Sequence, residues 1–157
     1  MRSNLGLLIV AGVLALSLAA CSGNTADPAS SSEPWGENIV KPAGLVAELA
    51  NASAADKPVV VCTAPPFLYR SGHVPGAVLH GPMTSPAVVG ELTAWAQPLP
   101  RSSNVVIYCG CCPMEQCPNI RPAYKALKDL GFTRLRVLVL PDNFATDWVG
   151  RGYPIEK

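Results

Sequence analysis

Charge is what this chain has least of. Its 157 residues carry 12 Lys and Arg against 11 Asp and Glu, a formal net charge of +1. Nowhere do the basic residues gather into a stripe, so the sequence has no electrostatic footprint for nucleic acid. There are two histidines. His73 lies in a Pro-Gly turn and reads as a hydrogen-bonded loop former, and His80 follows an apolar run with no partner visible in sequence. Internal repeats are absent, and no apolar run reaches the ~20 residues that a membrane-crossing helix needs.

The longest apolar run, Leu5 to Ala20, is preceded by Arg2 and closed by Leu18-Ala19-Ala20-Cys21. It resembles a bacterial lipoprotein signal peptide. That resemblance implies removal of residues 1–20 and lipidation of Cys21, palmitate included, as the mature N-terminus. The expected location is the cell envelope, with the lipid anchored in a bacterial membrane and the domain outside the cytoplasm. Cleavage takes Arg2 away and leaves 11 basic against 11 acidic residues, so membrane association rests on the lipid. Residues 21–34 hold no large apolar side chain and read as a flexible tether of about 20 Å. Residues 35–157 are the size of one domain.

That domain alternates short apolar runs with helical patterns. Val59 to Cys62, Ala77 to Leu79, Val105 to Tyr108 and Arg136 to Leu140 are too short for helices and fit strands buried on both faces. Helices are expected over Ala43 to Asn51, from the Ser85 cap and Pro86 through Trp95, from the Asn119 cap to Gly131, and over Phe144 to Val149. Strands alternating with helices predict an α/β domain, a central parallel sheet with helices on both faces. Ligands of such sheets bind beyond the carboxyl ends of the strands.

At that end of the third strand stand four of the six cysteines, Cys109, Cys111, Cys112 and Cys117, in a loop that feeds a helix. Backbone N–H groups and the helix dipole favour a thiolate there. Cys109 is the candidate nucleophile; the opposing reading is a small buried hydrophobe at a strand end. Cys111, Cys112 and Cys117 are candidate resolving thiols, disulfide partners or soft-metal ligands. A bond between adjacent Cys111 and Cys112 is not expected, because its geometry strains the peptide between them. The cluster is more compact than the paired turns of a structural zinc site, so neither a metal nor a cofactor is expected. Arg121, at the helix entrance, is a candidate for an anionic substrate or a solvated helix residue. Cys62 reads as an inert strand residue.

Gly72-His73-Val74-Pro75-Gly76-Ala77 resembles the Gly-His-Ile-Pro-Gly-Ala signature of rhodanese domains. Val105 to Cys109 resembles their strand leading into the catalytic cysteine, and Gly131-Phe132, Asp147-Trp148 and Gly152-Tyr153-Pro154 are similar to their closing segment. The resemblance implies the rhodanese-like three-layer fold and a sulfurtransferase. Its Cys109 would carry a persulfide, with the backbone of Gly110 to Met114 holding the terminal sulfur and a small sulfur compound or thiol as acceptor. Two features depart from the family: Cys62-Thr63-Ala64 replaces its Asp-Val-Arg-like triplet, and the 13 positions from Cys109 to Arg121 exceed its six-residue cradle. Counting excludes the related phosphatases, since six positions before Arg121 stands Glu115. The alternatives are a thiol-disulfide module, a copper or zinc handling module, and a non-catalytic binding domain on the same fold.

Overall fold

The computed structural model describes residues 34–157. The expected signal peptide, the lipidated Cys21 and the tether up to residue 33 lie outside the described residues. Among those described, no helix is long and apolar enough to cross a membrane.

Five parallel strands form one sheet: β1 (Ile39–Val40), β2 (Val59–Cys62), β3 (Val78–Leu79), β4 (Asn104–Tyr108) and β5 (Arg134–Leu138), in the order β1-β5-β4-β2-β3. The helices are α1 (Pro42–Asn51), α2 (Pro66–Ser71), α3 (Pro86–Ala96), α4 (Ile120–Asp129) and α5 (Phe144–Asp147). Every residue of β4 is buried, as expected of a central strand covered on both faces. The parallel α/β sheet expected from the sequence is therefore present. The expected Ser85 cap and Pro86 open α3; Pro42 opens α1 and the side chain of Asn143 caps α5.

Three differences have physical causes. β1 and α2 have no counterpart in the sequence reading, because a two-residue edge strand and a single turn and a half of helix after Pro65 are too short to show periodicity. β5 runs from Arg134 to Leu138, two residues ahead of the expected Arg136 to Leu140, because Arg134 and Leu135 pair with Asn104 and Val105 of β4; within it Arg136 turns its side chain to Glu48 of α1 in two hydrogen bonds of 2.8 and 2.6 Å. Asn119 does not cap α4: its own backbone is already helical, with φ −91° and ψ −34°, and its side chain makes no cap bond.

The rhodanese-like turn is tied to the C-terminal end of the chain. His73 and Glu156 exchange backbone hydrogen bonds of 2.9 and 3.0 Å, and the Glu156 carboxylate accepts from the N–H of Gly76. His73 is the loop former expected, buried and stacked on Tyr69 at 3.7 Å with Nδ1 3.0 Å from the Tyr69 carbonyl. His80 has a partner the sequence did not reveal, the Trp95 ring at 4.5 Å; burial pushes its pKa down. Tyr108 fixes the same turn to the central strand, its hydroxyl accepting from the N–H of Val74 at 3.1 Å.

Candidate active site

β4 delivers Cys109 to the carboxyl edge of the sheet, and Thr63 secures it there. Fully buried, Thr63 donates to the Tyr108 carbonyl from both its N–H (2.7 Å) and its hydroxyl (3.1 Å). It stands where rhodanese domains often carry a charged triplet, and a neutral double hydrogen bond holds the strand end in its place. The chain then reverses through Gly110 at φ +71°, where a Cβ would lie 2.7 Å from the Phe144 Cβ. Only glycine combines that backbone with that closeness. The Gly110 carbonyl accepts from the N–H of Phe144, and the N–H of Met114 goes to the Pro141 carbonyl.

All five described cysteines are free thiols. The sulfur atoms of Cys109, Cys111 and Cys117 lie within 4.8 Å of one another. Cys109 and Cys111 are 3.1 Å apart, and Cys111 and Cys112 are 3.2 Å apart. Asn119, drawn away from its expected cap, holds the group from the helix side. Its Nδ2 donates to Cys109 at 3.4 Å, and its Oδ1 accepts from the buried N–H of Met83 at 2.9 Å.

The charge sits elsewhere than expected. Cys117, not Cys109, meets the helix. The thiol of Cys109 and the N–H groups of Asn119 and Ile120 donate to Cys117 and outweigh its burial, drawing it down to about 5. Cys109 is pushed up, first by the bond it gives to Cys117, then by burial and by Cys111. Burial and the neighbouring Cys111 push Cys112 up to about 12. Of the clustered thiols, Cys117 is thus the one drawn toward the thiolate and Cys109 the one held toward the protonated form. The turn of Pro113 to Gln116 carries the chain round so that the last cysteine of the loop, not the first, reaches α4. Cys117 directly preceding Pro118-Asn119 and the helix was the available signal.

Two spaces meet at Cys109. An outer cavity of about 240 Å³ lies between α2 and α5 and includes Leu68, Tyr69, Phe144 and Val149 with Cys62, Cys109 and Cys111 in its lining. Among the described residues no Lys, Arg or His lines it. An inner void of about 10 Å³ lies on the other side, against Cys109, Cys112, Met114 and Cys117. Cys109 is the one cysteine lining both.

Arg121 lines neither space. Its guanidinium donates to the Cys117 carbonyl (3.3 Å) and the Glu115 carbonyl (3.0 Å) and lies 5.6 Å from the centre of the Trp35 ring. The structure therefore brings Cys109, Gly110, Cys111, Cys112 and Cys117 together and places Arg121 behind the loop as a brace. Cys62 is buried at the end of β2, its thiol pushed up by burial. Trp148, fully buried, donates to the Pro154 carbonyl at 2.8 Å and closes the domain beside Phe144.

No protein-family model matches the chain, and no curated protein matches it in sequence. Solved structures do. The chain is similar to a rhodanese-like domain from Anabaena sp. at 21% identity and TM-score 0.54, covering 76% of this chain and 79% of that one. It is similar to a single-domain sulfurtransferase of Saccharomyces cerevisiae at 13% identity and TM-score 0.54, covering 74% and 95%. A thiosulfate sulfurtransferase from Pseudomonas aeruginosa matches at 21% identity and TM-score 0.52, over 76% of this chain and 19% of that longer one. At identities this low the likeness is one of architecture, and the chain has the rhodanese-like fold.

Proposed function

We propose that this chain is a sulfurtransferase that carries sulfane sulfur as a persulfide on Cys109, on a domain held at a bacterial membrane by a lipid on Cys21. One observation carries the reading: Cys109 faces the outer cavity on one side and the sulfur of Cys117 on the other.

A donor R–S–SH enters the outer cavity. The Cys109 sulfur attacks the terminal sulfur of the donor, whose S–S bond breaks. R–S⁻ leaves with the electron pair, and the Cys109 proton passes to the Cys117 thiolate. Cys109 now bears –S–SH. An acceptor thiolate takes that sulfur, the new S–S bond breaks, and Cys109 recovers its proton from Cys117. One sulfur has moved and nothing is oxidised overall. Cys117 is thus the proton acceptor for Cys109, the two sulfurs lying within 4.8 Å of one another. The apolar outer cavity supports an uncharged organic persulfide as donor, since a dianion such as thiosulfate would lose its hydration there without a cation to replace it.

The test is turnover from an organic persulfide to a thiol acceptor. Cys109→Ser is expected to lose it by orders of magnitude, whereas Cys62→Ser changes stability more than rate. Equal activity of Cys109→Ser and the parent removes Cys109 from the site. The anchor is tested separately: Cys21→Ala abolishes lipidation, and normal acylation of that variant overturns the lipoprotein reading.

A further inference from the structure

The inner void has a lining that sulfur transfer does not use. Met114 lines the same small space as Cys109, Cys112 and Cys117, and the rest of the wall is Gly110 with Ile120 of α4, Val137 and Leu138 of β5, and Leu140. Its volume of about 10 Å³ is close to that of one water-sized sphere. Among the described residues no oxygen-bearing side chain and no imidazole reaches it.

We propose that this void is a binding site for one Cu(I) ion, with the sulfurs of Cys109, Cys117 and Cys112 and the Met114 thioether as its candidate donors.

Three observations carry the assignment. All the donors are sulfur, and thiolate with thioether selects Cu(I) over harder cations. Two of the thiol donors, Cys109 and Cys117, are gathered before any ion arrives, lying with Cys111 within 4.8 Å of one another, which spares the ion the cost of ordering them. The thioether separates copper from zinc, whose protein ligands are thiolate, imidazole and carboxylate. Cys111 and Cys112 are only half-buried, so the ion has a path in from the loop surface. Binding involves no redox change: copper enters as Cu(I) and stays so, and each protonated thiol that ligates releases one proton to solvent. Cys109 then no longer reacts, and Cu(I) is expected to suppress sulfur transfer.

The experiment titrates reduced full-length protein, kept anaerobic, with Cu(I) in competition with a chromophoric Cu(I) chelator. One Cu(I) per chain is expected. Cys109→Ser and Cys117→Ser should each lower affinity by more than the 10–100-fold that loss of an outer-shell partner costs. Met114→Leu, which keeps the side-chain volume, should weaken Cu(I) while leaving Zn(II) affinity unchanged. Binding no tighter than that of the Cys109→Ser/Cys117→Ser double variant overturns the proposal. So does Zn(II) binding more tightly than Cu(I) with Cys111 required and Met114 dispensable, which describes a four-thiolate zinc site instead.

Discussion

The side-chain amide of Asn119 donates to the sulfur of Cys109 across 3.4 Å, joining the first residue of the loop to the first turn of α4. Its oxygen is engaged as well, on the buried N–H of Met83. Replacing Asn119 by Ala strands that N–H, which costs about 1–3 kcal/mol, and releases Cys109 from its position beside Cys117. Denaturant unfolding should show the loss, and sulfur loading of Cys109 should slow at a pH where the variant is fully folded. Unchanged stability and loading together would show that Asn119 supports neither.

Sulfur transfer should follow the ionisation of Cys117. With that thiol drawn down to about 5, the proton acceptor is present at neutral pH and disappears as pH falls through about 5. The rate of loading is therefore expected to be flat from pH 7 to 6 and to fall below that. In Cys117→Ser the acid limb should move up toward the ordinary thiol range near ~8.5. An identical pH profile in parent and variant would take Cys117 out of the proton path.

At the opposite end of the sheet, Arg136 and Glu48 form a doubly hydrogen-bonded pair with side chains 25% and 32% exposed. The Arg136 hydrogen bonds hold the Glu48 carboxyl below its ordinary range against the opposing effect of burial. A carboxyl lowered in the folded state contributes stability that is fully present above its unfolded pKa of ~4.3 and is lost as pH falls through the folded value. Glu48→Gln should cost about 1–2 kcal/mol at pH 7. The gap from the parent should stay constant down to about pH 5 and close at lower pH. A gap independent of pH would mean that packing, not the charge, is what the variant loses.

Much of the architecture was legible because it rests on local signals. The apolar runs at Val59 and Val105 are long enough to be seen, and Ser85-Pro86 marks a helix start by chemistry that needs no tertiary context. What stayed hidden depends on partners distant in sequence. β1 is a strand because Ile39 and Val40 pair with Val137 and Leu138, and β5 begins at Arg134 because that residue pairs with Asn104. In the loop, the cysteines and their clustering were readable, as was Gly110. The identity of the ionised thiol was not, since it depends on how the turn after Pro113 swings Cys117 onto the amides of α4. Arg121 likewise looked free to meet a substrate until the Glu115 and Cys117 carbonyls and the Trp35 ring came within its reach.

The central claim is that one sulfur resides on Cys109, and the direct measurement is the intact mass of metal-free, reduced protein after exposure to an organic persulfide, with the site located by fragmentation. The account predicts a gain of one sulfur atom per molecule, reversed by excess thiol, carried on Cys109 in the parent and absent from Cys109→Ser. A sulfur found on Cys111, Cys112 or Cys117 in the parent, or the same gain in Cys109→Ser, would contradict it.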